Sequence, residues 1–580
     1  MIDKRTASFV RSLGIGQIEE EILLPFPDPM LSEREKLAAA LRRVEALLAP
    51  RAAEFDAWDR AGAIPAAFLD ELRAAGLFGL VLPERAGGMG LSATGAARIL
   101  QQIARHDASV ALTVGVHASI GVGGLLLAGT EEQKARWFPR LASGEVIAAF
   151  CLTEPEAGSD PGSLRTTAIR DGSGWTLNGR KGWVSNGGIA GLFTVFARTA
   201  HEGKGQLTAF LVPRDTPGLT VGPPEDKLGI RACSTTMLAL DRVRVPGDHV
   251  LGEVGKGLKL AMRVLNAGRT GLGGGSIGGA KRLLDLALGH ARTRTQFGRP
   301  LSSFPLVRGK LARLAIECYA AESVVRLTAG LLDRGFEDVA VEAAIAKVIA
   351  TEALWRTADE ALQLAGGAGY MRAFPYERGL RDARVNRIFD GTNDVLRLFV
   401  ALTTASDAAE EIRDLAESVR GVFADPIKGF GLLSEYARRR AGLPPAPDRE
   451  KGRFRSLPPS LAGEAARFEA LTAALALAVD RTLRRHGKRL VGEQLVLRRL
   501  ADALVDLFAF AAMLARVAGR LENDGEAAAL PERELLRAFA AGAERRVTAN
   551  LDGLDGPEDA SLGVVADALL EAGTYPWEAG

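Results

Sequence analysis

The sequence predicts a multidomain α+β protein in which a helical segment, a β segment and a second helical segment are followed by an appended helical domain. Three observations predict it. Residues 33–145 and 255–404 carry apolar side chains at helical spacing. Residues 146–252 break into short strand-like pieces separated by Gly, Asn and Pro-Gly. The length, 580 residues, exceeds what one hydrophobic core supports and points to about three or four units.

The first helical domain is expected over 1–145, with EREKLAAALRRVEALLAPRAAEFDAW as its clearest periodic text. The middle β domain, 146–252, holds GWTLNGRKGWVSNGG, LFTVFART, LTAFLVPRD and TTMLALDRVRVP. A helical domain over 253–404 follows. A linker or mobile loop is expected over 405–460, because RRRAGLPPAPDREKGRFRSLPPS (438–460) is rich in Pro and basic residues. The appended helical domain is 461–580, where GEQLVLRRLADALVDLFAFAAMLARVAGRL is strongly amphipathic.

Composition excludes several classes. The net charge of +2 offers no field to recruit nucleic acid. Cys151, Cys233 and Cys318 are far apart, and the histidines form no ligand pattern, so no metal site or disulfide framework is expected. We expect charges to interrupt every apolar run of about 18 residues, so no membrane span is read. The N-terminus lacks the apolar region of a signal peptide, and the cytoplasm is the expected location.

Several motifs carry chemistry. GGGSIG (273–278) has the GxGxxG spacing, but helical text precedes it and no acidic residue stands at the right distance. Close helix packing through small residues explains it better. CLTEPEAGSD (151–160) sits at the helical-to-β boundary and reads equally as a capped turn or a ligand loop. KGWVSNGG puts Trp183 and Ser185 on one strand face, suited to a planar heteroaromatic ligand or to a core Trp with a partnered N–H. In ARTRTQFGRP, Arg294 can hold a phosphate or complement a helix C-terminus. QLAGGAGY (363–370) ends a helix in glycines that suit a diphosphate or a C-cap. In RIFDGTNDVLRLF, Asp390 is either a general base or a helix cap. HASIGVGGLLLAG places Gly121 and Gly124 on one helix face, which leaves room for a long ligand or packs small residues.

In this order, CLTEPEAGSD, KGWVSNGG, RTQFG, QLAGGAGY and RIFDGTND resemble the acyl-CoA dehydrogenase family. SFVRSLGIGQ, GTNDVLRLFVAL and the appended domain are similar to its very-long-chain branch. The resemblance implies a helical domain, a β-barrel-like domain and a four-helix bundle, FAD as cofactor, and α,β-dehydrogenation of an acyl-CoA in fatty-acid β-oxidation. It implies electrons passing to an electron-transfer flavoprotein, and a homodimer, because each FAD is built from two chains. By motif, Thr153, Trp183 and Ser185 would meet the flavin; Arg294, Gln296, Phe297, Gln363, Gly366, Gly367, Thr392 and Asp394 would hold FAD across the subunit interface. Ser159, Asn266, Arg269 and Gly391 would contact substrate, Gly121 and Gly124 would open the acyl pocket for chains of about C14 and above, and 438–460 would touch a membrane peripherally.

Asp390 would be the catalytic base, with helix capping left to Thr392 or Asn393. The very-long-chain pattern has glutamate there, and Gly268 stands where other branches carry the base. Aspartate is shorter by a methylene; a misplacement of roughly an ångström can cost about 10²-fold, against about 10²–10⁴-fold for general-base action. The aspartate also matches a flavin oxidase of the same superfamily, and a third reading is a scaffold protein of this fold with weak turnover.

Overall fold

The computed structural model describes residues 4, 6–28, 31–201, 204–421 and 452–578. Residues 438–451 of the basic 438–460 segment, read as linker and membrane contact, lie outside the described residues. The chain divides into two compact units, Met1–Ala7 with Pro27–Val395, and Ser8–Phe26 with Leu396–Gly580.

The first unit opens with helices. Helix α1 (Arg34–Leu48) buries Leu37, Ala40, Val44 and Leu48, the spacing of one helical face. Helices α2 (Ala52–Ala61) and α3 (Ala66–Ala74) pack the Phe55, Trp58 and Phe68 rings together. Helix α4 (Ala93–Ala104) starts where the Ser92 hydroxyl accepts from the Gly95 N–H, and α5 (Ala108–Val116) where Asp107 accepts from the Val110 N–H. A π-helical turn, His117–Gly121, joins α5 to α6 (Val122–Ala128), and α7 (Glu131–Ala142) begins with a Thr130/Gln133 capping box.

The stretch Ala108–Ala128 corrects one expectation. It runs 21 residues without Asp, Glu, Lys or Arg, and by length and composition it could cross a membrane. Within the apolar window, 67% is buried inside the protein, the mark of a core helix. His117 ties it to the sheet: Nδ1 accepts from the Ala148 N–H and Nε2 donates to the Leu141 carbonyl. Burial pushes its pKa down to about 4, so it serves as a neutral bracket.

The middle segment is an eight-stranded sheet. Strands β1 (Ala148–Cys151), β2 (Thr167–Asp171), β3 (Gly174–Ser185), β4 (Leu192–His201), β5 (Lys204–Pro213), β6 (Leu219–Pro224), β7 (Thr235–Pro246) and β8 (Val250–Leu251) form it. The order is β6-β7-β3-β2-β4-β5-β8, with β1 paired parallel to β4. Phe193, Val195, Phe210 and Val212 alternate into its core.

Helices α8 (Gly257–Thr293), α9 (Pro305–Asp333), α10 (Ala340–Ala365), α11 (Tyr376–Arg384) and α12 (Asn393–Gly421) follow. GGGSIG lies inside α8, as the packing reading expects. A Cβ at Gly274 would overlap the Ala97 carbonyl, and one at Gly278 the Gln101 carbonyl, so α8 crosses α4 backbone to backbone. Two domain boundaries need correction. Residues 405–421 are helix, because that text lacks Pro and has no Gly before Gly421. Residues 8–26 belong with the C-terminal unit rather than with 27–145. There the short helix Phe9–Leu13 sets the buried Phe9 ring 6.4 Å from Phe468 and 6.2 Å from Phe508. Helices α13 (Ala462–His486), α14 (Gln494–Asp552, broken at Gly525) and α15 (Glu558–Ala572) complete that unit.

The α8 glycines differ in their surroundings, which predicts their tolerance to substitution. Gly278→Ala must displace backbone and is expected to destabilise by about 1–3 kcal/mol. At Gly275 a Cβ meets nothing closer than 3.9 Å, so Gly275→Ala is expected to be neutral or stabilising by up to about 1 kcal/mol. Thermal-shift ranking of the two full-length variants checks this; equal melting temperatures would contradict the α4–α8 contact.

Candidate active site

Asp390 adopts φ +55° and Gly391 φ +89°, the left-handed region that a side chain rarely enters. Two buried cations hold this turn. From α8, Arg269 donates from Nε to the Asp390 carbonyl (3.3 Å) and from Nη1 to Asn266 Oδ1 (2.6 Å). From α10, Lys347 donates from Nζ to the Gly391 carbonyl and to Asn393 Oδ1, both at 2.8 Å. Asn393 in turn donates to Thr351 Oγ1 (3.0 Å) and Glu352 Oε1 (2.9 Å), and Glu352 accepts from Arg387 (3.1 Å). The helix cap falls to Thr392, whose hydroxyl accepts from the Val395 N–H at 3.2 Å.

Asp390 is thereby released from capping. Among the described residues its carboxylate makes no side-chain hydrogen bond, and it lines the wall of a cavity of about 540 Å³. The side chain keeps partial solvent contact through this cavity, yet protein crowds it on the other sides. Burial pushes its pKa up, and the Lys347 and Arg269 charges pull it back. Gly268 faces the same cavity, and a Cβ there would meet Ile120 Cγ2 at 2.8 Å. A base at 268 would displace that side chain.

The cavity runs beside α8 from Gly268 to Leu286, about 27 Å at 1.5 Å per residue. Its wall turns charged at Arg282 and Arg378. Arg378 pairs with Asp56 (3.1 Å) and Asp107 (3.5 Å), and burial beside Asp107 pushes the Asp382 carboxyl up to about 7. Gly115, Gly271, Gly275 and Gly279 line its apolar part; a Cβ at Gly275 would meet nothing closer than 3.9 Å, whereas one at Gly271 or Gly279 would press on Leu100 (3.0 Å) or Leu354 (3.2 Å). The expected pair, Gly121 and Gly124, does not line it. A Cβ at Gly121 would press on the Ala148 carbonyl (2.9 Å) and one at Gly124 on Leu251 (2.8 Å), so these glycines pack a helix on the sheet.

Of the other expected substrate residues, Arg269 is only 6% exposed and donates to the Asp390 carbonyl and to the half-buried Asn266. Ser159 is exposed on the loop after Thr153.

The expected cofactor residues lie outside the cavity wall. A bulge in β3 turns Lys181 and Gly182 inward together, after which Trp183 (φ +51°, 56% exposed) points out and Ser185 is half-buried. Thr153 is joined to this bulge by the Gly182 N–H, which donates to its carbonyl at 2.9 Å. Beneath it lies a buried ion pair. Lys181 Nζ reaches Glu154 Oε1 at 2.7 Å, and Glu154 also accepts the Arg165 and Thr166 N–H groups. Burial alone would raise the Glu154 carboxyl; Lys181 and those donors hold it below its usual value. Arg294, Gln296, Phe297 (94% exposed), Gln363, Gly366, Gly367 and Asp394 are also exposed. A Cβ at Gly366 or Gly367 would meet nothing within 4 Å. An outward indole beside a hydroxyl, an open glycine turn and an unburied arginine suit a flat ring carrying a diphosphate.

Family models described as the N-terminal, middle and C-terminal domains of acyl-CoA dehydrogenase match residues 32–145, 149–243 and 255–404. The chain belongs to the acyl-CoA dehydrogenase family. This acyl-CoA dehydrogenase also matches the ACAD9/ACADV C-terminal domain over 459–575. It is 38% identical to the mitochondrial very long-chain specific acyl-CoA dehydrogenase of Bos taurus, over 98% of this chain and 89% of that protein. Among solved structures it is similar to an acyl-CoA dehydrogenase complexed with FAD from Bacillus anthracis (TM-score 0.81, 29% identity, 94% of this chain and 92% of that one). It is also similar to butyryl-CoA dehydrogenase of Megasphaera elsdenii (TM-score 0.62, 34% identity), covering 99% of that chain but 65% of this one. The family comprises FAD-dependent oxidoreductases acting on CH–CH bonds of fatty acyl-CoA, and the dehydrogenase uses FAD.

Lys181→Met would leave Glu154 buried without its cation. Breaking such a pair costs about 3–5 kcal/mol, so lower melting temperature and FAD content are expected. A variant that melts and retains flavin like the parent would show that the pair does not support the cofactor loop.

Proposed function

We propose that this dehydrogenase acts on long-chain acyl-CoA of about C14 and above, passing electrons to an electron-transfer flavoprotein as a cytoplasmic homodimer. The observation that carries the reading is the glycine-opened cavity leading away from Asp390. From Gly268 to Arg282 the α8 wall spans about 21 Å at 1.5 Å per residue. An extended alkyl chain advances roughly 1.25 Å per carbon for C–C bonds of about 1.5 Å. The apolar stretch thus matches a chain of about 16 carbons.

Bound FAD supplies the two-electron oxidant for the β-carbon. The chain's own residues prepare the α-carbon. Asp390, unshared with other side chains and raised by burial, takes the α-proton. Arg269 and Lys347 fix the backbone that aims it. An acyl chain filling the cavity would displace water from beside Asp390 and leave the shorter aspartate a fixed approach.

Anaerobic mixing of the FAD-loaded protein with palmitoyl-CoA is expected to bleach the flavin rapidly, and Asp390→Asn to abolish bleaching without releasing FAD. Slow bleaching by the parent with intact FAD would favour a scaffold role. Gly275 lies about 10 Å along α8 from Gly268. Gly275→Leu is therefore expected to lower kcat/KM for C16 at least 10-fold while sparing C8. Equal losses at both lengths, or a parent optimum at C4 to C8, would contradict the chain-length assignment. The 438–460 segment is proposed as a peripheral membrane contact. Liposome co-sedimentation of the full chain against one lacking that segment tests it, and equal partitioning removes it.

A further inference from the structure

We propose that Lys347 is a positioning residue for the reaction: its buried ammonium holds the Asp390–Asn393 turn and sets a positive charge one residue from the base. The inference rests on Asp390 being the base of the dehydrogenation proposed above.

Three observations carry it. Lys347 is fully buried on α10, where an ammonium would be costly without strong acceptors. Two of its acceptors belong to the turn itself, the Gly391 carbonyl and the Asn393 amide oxygen, both at 2.8 Å. The first of these belongs to the residue next to Asp390, whose left-handed backbone must be held from outside. An apolar side chain would fill the same volume, so packing alone does not explain a cation here.

The charged groups around Asp390 define what Lys347 adds. From α8 comes Arg269, already engaged with the Asp390 carbonyl and Asn266. From α10 comes Lys347, with Glu352 behind Asn393 paired to Arg387. From α11, Arg378 and Asp382 lie further along the cavity. The π-turn contributes only Ser119 and Ile120. Lys347 and Arg269 are therefore the two cations opposing the desolvation of Asp390. A nearby positive charge favours the carboxylate. A base works deprotonated, so its rate is lost as pH falls through its pKa. Removing the Lys347 charge raises that pKa and moves the acid limb to higher pH.

Three variants separate charge from shape. Lys347→Arg keeps the charge, Lys347→Gln keeps an N–H donor without it, and Lys347→Met loses both. The limiting rate of flavin bleaching by palmitoyl-CoA is measured against pH on FAD-loaded full-length protein. The Asp390 carboxyl is titrated separately by infrared difference spectroscopy, with Asp390→Asn assigning the band. The acid limb and the infrared midpoint are expected to rise by about one pH unit in Gln and Met and to stay in place in Arg. Met is expected to lose a further 10-fold or more in limiting rate. An unmoved infrared midpoint in Lys347→Gln overturns the proposal whatever the turnover. A uniform loss of rate with no displaced limb overturns it too, leaving Lys347 structural. A parent that does not bleach while the midpoint moves would refute the assigned reaction and leave the role of Lys347 standing.

Discussion

Two buried cations on two helices grip consecutive carbonyls of one turn. Arg269 takes the Asp390 carbonyl and Lys347 the Gly391 carbonyl. The rest of the active-site architecture depends on this grip. A non-glycine residue at φ +55° is held there only if its surroundings over-determine it. Release of either carbonyl would let the turn relax toward ordinary helix-entry geometry, and the carboxylate would leave the cavity wall. α8 and α10 pack along their length, so bundle packing and aim of the base are one problem.

A second buried pair does the same work on the sheet. Lys181 and Glu154 join β3 to the loop after β1, and the bulge they stabilise turns Trp183 outward. Both devices place an ammonium where desolvation is severe and satisfy it with fixed acceptors. That trades stability for position: a well-packed apolar pair would often be as stable, but it would not dictate where one carbonyl or one loop must lie. His117 adds an uncharged version, a neutral ring with both nitrogens engaged between helix and sheet.

Glycine distribution decides what the cavity admits. On α8, Gly274 and Gly278 allow contact with α4, whereas Gly275 leaves space in the cavity wall. The motif looks uniform in the sequence because a glycine stripe reads alike whether a helix or an empty channel faces it. The Gly121–Gly124 pair shows the reverse error. Its spacing suggests a pocket, but the π-turn at His117–Gly121 shifts the helical phase into α6, and both glycines meet the sheet. The charge-free run from Ala108 to Ala128, which the sequence reading passed over, is long and apolar enough for a membrane span, and its burial marks it as a core helix.

The sequence by itself determined the order of helical and β segments, the appended domain and the family, because periodicity, turn residues and motif order are local properties, and it singled out Asp390 as the candidate base. It also narrowed the cap of α12 to Thr392 or Asn393, a matter of a few adjacent residues, and the structure assigns it to Thr392. Only the tertiary structure decided that residues 8–26 join the C-terminal unit, that Arg269 serves the turn, and that Lys347 and Asn393 belong to the site. Lys347 lies 43 positions before Asp390, and nothing local marks one lysine in an alanine-rich helix. Its role comes from helix packing that brings an ammonium under a carbonyl, and distances across a fold are set by the whole chain at once.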